Sequence, residues 1–451
     1  MRGNAMTWRH WLVGIVCCVL LTTAIPADEP SQDTAALDGR AADVRAMIVA
    51  KPAEFEGAFS ESFLNQVPAE ALEEIGSGYF EEYGAVIDVR PVAVESSFQG
   101  KFDFITDKGY SFPVHLVIEG QPPHQIIGLN FGMGAPLMAS LDEVVAALEK
   151  LPGTASLCVT RYGDDGPEQL AALNVDATLA IGSAFKLYVL AELVRATNAG
   201  ERQWADVITL DAKIITLPTG ILQDWPAGTP MTLQALATLM ISVSDNTATD
   251  HLIHALGREK VEAILASTGH HQPDRNAPLL TTLELCKLKA GPDSELTDRY
   301  LSGDQQARRA LLADDVAAMS RDDVRLELLA GTPRYVNELE WFASTADLAR
   351  ALIWLRDHST PDDAGAPARD ILAVNPGLPP AAGQWDYWGY KGGSEVGVLN
   401  LSFLLKRTDG AWFTVVGTWN NPDSALDDGK FMGLIEAALR LLGEADQQAD
   451  E

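Results

Sequence analysis

The sequence predicts a chain of the α/β (α+β) class in two folded parts, and three observations carry that prediction. Apolar residues recur at helical spacing between about residues 41 and 76, and the period then falls to two between residues 86 and 131. From residue 140 onward a helix, a strand, a long helical stretch and two late strands follow one another. The first part is a small helix-then-antiparallel-sheet domain over residues 41–135. The second, over residues 136–446, is a sheet drawn from both ends of its own stretch of chain, with a helical lobe between. A length of 451 residues suits two such parts.

At the N-terminus, Arg2, Arg9 and His10 precede an apolar run from Trp11 to Leu21, and the small residues Thr22, Thr23, Ala24 and Ala27 follow. That order predicts a signal peptide over residues 1–27, with a retained anchor as the alternative, and therefore an exported, periplasmic or extracellular protein with no stable membrane insertion after cleavage. Cys17 and Cys18 lack the preceding small residue of a lipoprotein site. Residues 28–40 are polar and small, the composition of a flexible leader. Val44, Met47, Ile48, Phe55, Phe59, Phe63 and Leu64 then mark two or three helices. Val86–Val94, Gly100–Ile105, Phe112–Ile118 and Gln125–Phe131 read as strands separated by Gly, Asp and Pro turns. Helices first and a curved antiparallel sheet second resembles the nuclear-transport-factor-2, steroid-isomerase and cystatin-like class of cone-shaped domains. That resemblance rests on element order and implies a spacer or docking module, or a small ligand in the cone.

Beyond residue 140 the expected elements are a helix over Leu141–Leu151, strands over Ala155–Arg161 and Leu170–Leu173, and a helical half from Ser183 to about Leu355. Two strands, Gly397–Leu405 and Trp412–Thr418, a closing helix to Leu442 and an acidic frayed tail from Gly443 complete the chain. Once the leader is removed only Cys158 and Cys286 remain; both lie in apolar settings, so two buried free thiols compete with a disulfide. With 63 acidic and 33 basic residues the formal charge is −30, which excludes nucleic acid as a partner.

Three short motifs carry chemistry. Ser183-Ala-Phe-Lys186 opens the apolar helix Leu187–Val194, and the three-residue spacing puts a hydroxyl and an amine one turn apart on one face. The amine can then accept the hydroxyl proton. Ser244-Asp245-Asn246 follows an apolar helix and by itself reads as a turn. Lys391-Gly392-Gly393-Ser394 lies just before the strand expected from Val396, and its glycines let the backbone approach a ligand and offer N–H donors.

Taken in order, these motifs resemble the active-site set of class A β-lactamases and penicillin-binding proteins. The run Pro226–Met240 is similar to that family as well, and the resemblance covers roughly Leu137–Leu442. It implies a β-lactamase-like fold and a serine hydrolase working through an acyl-enzyme on a small-molecule substrate: a β-lactam, an ester or a peptide ending in D-alanine. Ser183 would be the nucleophile and Lys186 its base, Ser244 would pass a proton to the leaving group, and Lys391 would hold that hydroxyl and a substrate carboxylate. Asn246, Gly393 and Ser394 would bind substrate, with the N–H groups of Ser183 and Ser394 as the oxyanion hole. No cofactor and no metal is expected.

Two departures stand out. Gly392 occupies the position where the family carries Thr or Ser, so one hydroxyl contact to a substrate carboxylate is missing, and Ser394 is the expected stand-in. The deacylating Glu of the family has no counterpart in a Glu-x-x-Leu-Asn setting; the region reads Asn276-Ala-Pro-Leu-Leu-Thr-Thr-Leu-Glu-Leu-Cys-Lys-Leu-Lys289. Glu284 is the nearest candidate. With Leu279, Leu283, Cys286 and Ala290 forming one apolar stripe, it is expected to face solvent. His251, His254, His270 and His271 lack a zinc-site setting and read as surface histidines. A non-enzymatic reading remains beside the hydrolase: a module that binds cell-wall peptides or is acylated once without turnover.

Overall fold

The computed structural model describes residues 34–444 except 53–54, 164–165, 379 and 381–382. The expected signal peptide and most of the tail lie outside the described residues. The chain divides into two compact units, Met1–Leu137 and Met138–Glu451.

In the first unit, helices α1 (Ala35–Met47), α2 (Glu61–Leu64) and α3 (Ala69–Tyr83) precede strands β1 (Val86–Ser96), β2 (Gln99–Thr106), β3 (Tyr110–Ile118), β4 (Ile126–Phe131) and the short β5 (Ala135–Pro136). The strands form an antiparallel sheet in the order β1-β2-β3-β4, with β5 on β3. Leu37, Ala41, Val44 and Met47 recur every three or four residues and make one buried stripe on α1. The expected leader over 28–40 is therefore corrected from Ala35 onward: Leu37 is fully buried, and burying that stripe fixes the segment as helix. Phe102, Phe104 and Phe112 from the sheet pack with Phe59, Phe63 and Tyr79 to fill the interior.

The second unit begins with α4 (Leu141–Leu148), β6 (Thr154–Gly163), β7 (Gly166–Leu173) and the short β8 (Leu179–Ala180). The helical lobe follows with α5 (Lys186–Asn198), the β9 (Val207–Thr209) and β10 (Pro230–Thr232) pair, α6 (Leu233–Ser242), α7 (Asn246–Leu256), α8 (Arg258–Ser267), α9 (Thr282–Ala290), α10 (Ser294–Ser302) and α11 (Gln305–Leu311). The chain returns through β11 (Phe342–Ala343), α12 (Thr345–Asp357) and α13 (Pro367–Ala373) to β12 (Trp385–Glu395), β13 (Val398–Arg407), β14 (Trp412–Asn420) and α14 (Asp428–Glu444). The main sheet is antiparallel throughout in the order β12-β13-β14-β6-β7, so its strands come from both ends of the unit. β13 and β14 are buried along nearly their whole length, the mark of a central strand covered on both faces.

Two boundaries differ from expectation. Lys391–Ser394 lies inside β12 rather than before a strand, because the hairpin turn falls at Val396-Gly397 and β13 starts at Val398. Gly443 and Glu444 are helical, since Leu439, Leu442 and Gly443 are still buried against the unit. Cys158 and Cys286 are both free and buried. Among the described residues no helix is long and apolar enough to cross a membrane.

Candidate active site

Ser183 sits on a 3-10 turn, Gly182–Phe185, that runs directly into α5. From Leu187 to Val194 every residue of α5 is buried, so the helix is a core element and its first residue, Lys186, is carried inside with no exposed surface. Ser183 itself is half-buried. An amine placed there must find acceptors within the protein.

Those acceptors come from the turn between α6 and α7. Lys186 Nζ donates to Ser244 O at 2.7 Å, to Ser244 Oγ at 3.0 Å and to Asn246 Oδ1 at 2.7 Å. Ser244 is held at φ 55°, a left-handed conformation that costs a non-glycine residue about 1–3 kcal/mol. Asp245 offsets that cost. It caps α7 through Ala248 N–H at 2.8 Å and also accepts from the N–H groups of Ile221 and Leu222. Asn246 is fixed from its other end by donating to Leu217 O at 2.9 Å.

The third side is β12. Lys391, 3% exposed, donates from Nζ to Ser244 Oγ at 3.2 Å and to Gly392 O at 2.5 Å. Two residues on, Gly393 lies flat against the Ser183 turn: a Cβ there would stand 2.6 Å from the backbone nitrogens of Ser183 and Ala184 and would overlap Ile181 O. Only glycine allows that approach. It sets the backbone of Ser183 beside that of Ser394, the pairing an oxyanion hole requires.

Two lysines thus converge on one serine hydroxyl. Burial first, then the neighbouring Lys391, holds the Lys186 amine well below the ordinary lysine range, against a smaller opposing pull from Asp250 and Asp245. Burial brings Lys391 down to about 7. A neutral Lys186 can donate to Ser244 O and Asn246 Oδ1 while its lone pair accepts a hydroxyl proton.

The structure brings Lys186, Ser244, Asn246 and Lys391 into direct contact, and places Ser183 and Ser394 on either side of Gly393. Glu284 requires a correction. It does not face solvent: its carboxylate takes a bidentate pair from Arg258 at 2.7 and 2.8 Å and closes a capping box with Thr281 at the start of α9. The single-stripe premise failed because α9 is buried on nearly every face, Leu285, Leu288, Lys287 and Lys289 included. The surface reading of the histidines holds for His254 and His271, which are exposed, and is corrected for His251 and His270, which are buried. His270, His271 and Asp347 form the one group with metal-ligand spacing among the described residues. Yet His270 Nδ1 accepts Gln272 N–H, its Nε2 donates to Phe342 O, and Asp347 caps α12 while accepting from His271 and Arg350. Those atoms already have hydrogen-bond partners within the protein, and Asp347 is committed to capping α12.

Sequence reasoning missed two buried groups. Asp250, one turn after Asn246 on α7, accepts from Thr282 N, Thr282 Oγ1 and Leu283 N, and so ties α9 beneath the site; burial raises it to about 7. Lys289 on α9 pairs with Glu340 and, at 2.5 Å, with Glu395, which directly follows Ser394. The spacing of Asp250 from Asn246 was a usable signal, whereas the Lys289 cluster joins residues far apart in sequence and left none.

Residues 136–324 match a family model described as the Beta-lactamase enzyme family; the stretch includes Ser183, Lys186, Ser244 and Asn246 and ends before Lys391. A solved beta-lactamase from Sphaerobacter thermophilus DSM 20745 is similar over 67% of this chain and 96% of its own, at 24% identity and a TM-score of 0.47. A beta-lactamase from Desulfarculus baarsii DSM 2075 is similar over 68% and 98%, at 19% identity and 0.46, and PBP-A over 67% and 96%, at 14% identity and 0.47. No curated protein matches the chain.

Proposed function

We propose that the second unit, a β-lactamase-like serine hydrolase by its family match, opens β-lactams or related esters and amides through an acyl-enzyme on Ser183. The observation that carries this reading is the convergence of Lys186 and Lys391 on Ser244 Oγ, at 3.0 and 3.2 Å. In acylation the Ser183 oxygen bonds to the substrate carbonyl carbon and its proton passes to neutral Lys186. The N–H groups of Ser183 and Ser394 hold the developing oxyanion, worth about 3–4 kcal/mol per donor. As the leaving-group bond breaks, Ser244 delivers its proton to the departing atom and is reprotonated from Lys186, which restores the amine.

Deacylation is the slow half of the cycle in this reading. It needs a base for water, and Glu284 and Asp250 are both committed to α9. Acyl groups from penicillins therefore accumulate on Ser183, while small ester acyl groups leave more room for water and clear faster. We further propose that the protein is exported, on the charge and hydropathy of residues 1–27. For the first unit we propose a spacer or docking role, since aromatic side chains fill its interior.

A fluorescent penicillin tests the central assignment. It should label the unaltered protein at Ser183, with slow loss of label, and Ser183→Ala should abolish labelling without moving the melting temperature. Label found on another residue by mass spectrometry would overturn it.

A further inference from the structure

Gly392 raises a question that the position itself answers. A Cβ added there would overlap the hydroxyl oxygen of Tyr390 and stand 2.8 Å from its Cζ, so the phenol occupies the space a side chain at 392 would take. Tyr390, Gly392 and Ser394 alternate onto one face of β12, whereas Lys391 and Gly393 point to the other. The Tyr390 ring is packed on two sides. It packs against Phe403 with centroids 4.9 Å apart, and on another side a Cβ at Gly377 would come within 2.5 Å of it.

No group among the described residues hydrogen-bonds the Tyr390 hydroxyl. It also differs from the Tyr188 hydroxyl, which is sealed from solvent without a partner, because Tyr390 is only part-buried and its oxygen stays open. Burial raises the phenol to about 12, so it is a donor throughout the working pH range. A substrate group lying against Gly392 would meet this O–H on one side and the exposed Ser394 hydroxyl on the other, with the Lys391 amine behind the strand. Two hydroxyl donors backed by an amine suit an anionic oxygen group.

We propose that Tyr390 is a specificity-determining residue, whose hydroxyl binds a carboxylate carried by the substrate next to its scissile carbonyl, in place of a side chain at 392. The inference rests on the serine-hydrolase reading and narrows it: substrates with a free carboxylate are acylated in preference to their neutral counterparts.

The test compares a chromogenic cephalosporin with its carboxyl methyl ester, taking kcat/KM for acylation of the full chain. The unaltered protein should prefer the free acid. Tyr390→Phe keeps the ring and should lower kcat/KM for the acid about tenfold to a hundredfold, the range for one hydrogen bond to a charged group, and leave the methyl ester unchanged. Tyr390→Ala/Gly392→Thr, which supplies a hydroxyl from 392 instead, should recover most of the preference. Equal loss on both substrates, no loss, or no preference in the unaltered protein would overturn the role of Tyr390. Failure of both compounds to acylate Ser183 in the unaltered protein would instead overturn the serine-hydrolase reading, and the inference with it.

Discussion

Replacing Glu284 with glutamine separates a structural carboxylate from a catalytic one. The native carboxylate accepts two hydrogen bonds from Arg258, at 2.7 and 2.8 Å, and a third from Thr281 N at 2.8 Å. Both members of the pair are largely buried, with side chains 20% and 15% exposed. An amide can accept through one oxygen only, and it turns an NH₂ group toward the guanidinium, so at least one charge-assisted bond is lost and a donor faces a donor. Net hydrogen bonds to charged groups are worth about 1.5–3 kcal/mol, so the expected loss is about 2 kcal/mol. At about 2–4 °C per kcal/mol for a unit of this size, the melting temperature should fall by about 4–8 °C. Deacylation should not change: the decay of penicilloyl-Ser183, followed by mass spectrometry at 20 °C after removal of free penicillin, should match the unaltered protein within a factor of two. Decay slowed tenfold or more with an unmoved melting temperature would refute this reasoning and make Glu284 the base that activates water.

Three other outcomes follow from the site. Lys289→Met leaves Glu340 and Glu395 buried without their cation and should cost about 3–5 kcal/mol. Burial, and then Glu340, already hold the Glu395 carboxyl well above the ordinary range, so its ionisation penalty appears as pH rises past about 4.5; thermal melts should therefore show a larger gap between variant and unaltered protein at pH 8 than at pH 5. Gly393→Ala should cut the acylation rate about 10²–10³-fold, the effect of losing one oxyanion donor, because its Cβ would push the Ser183 turn off β12; pre-steady-state labelling measures it. Lys391 is charged below about 7, so kcat/KM for a carboxylate-bearing substrate should fall as pH rises through that value, while a neutral ester shows no such limb. The same depressed value means that the cost of burying Lys391 grows as pH falls from the ordinary lysine range to about 7 and is constant below it.

What the sequence by itself determined is whatever local pattern encodes. The period change near residue 86 separates the helices of the first unit from its sheet, and that order appears in the fold. Ser183 and Lys186 are joined by helical spacing, and an apolar run after a lysine already implied that Lys186 would be buried, as it is. Ser244, Asn246 and Lys391 were legible as words, and the order of the words placed them in one site. The tertiary structure decided everything that depends on what surrounds a segment. Periodicity shows which face of a helix is most apolar, but not whether the other faces are covered, so α9 read as amphipathic and Glu284 as exposed although the helix is enclosed. In the same way Ala35–Arg40 is too polar to announce a helix, and only the surface that receives Leu37 makes it one. Gly392 read as a hydroxyl lost. Side chains two residues apart on a strand share a face, and whether the Tyr390 ring turns toward residue 392 depends on Phe403 and Gly377, which the fold brings to it from other parts of the chain.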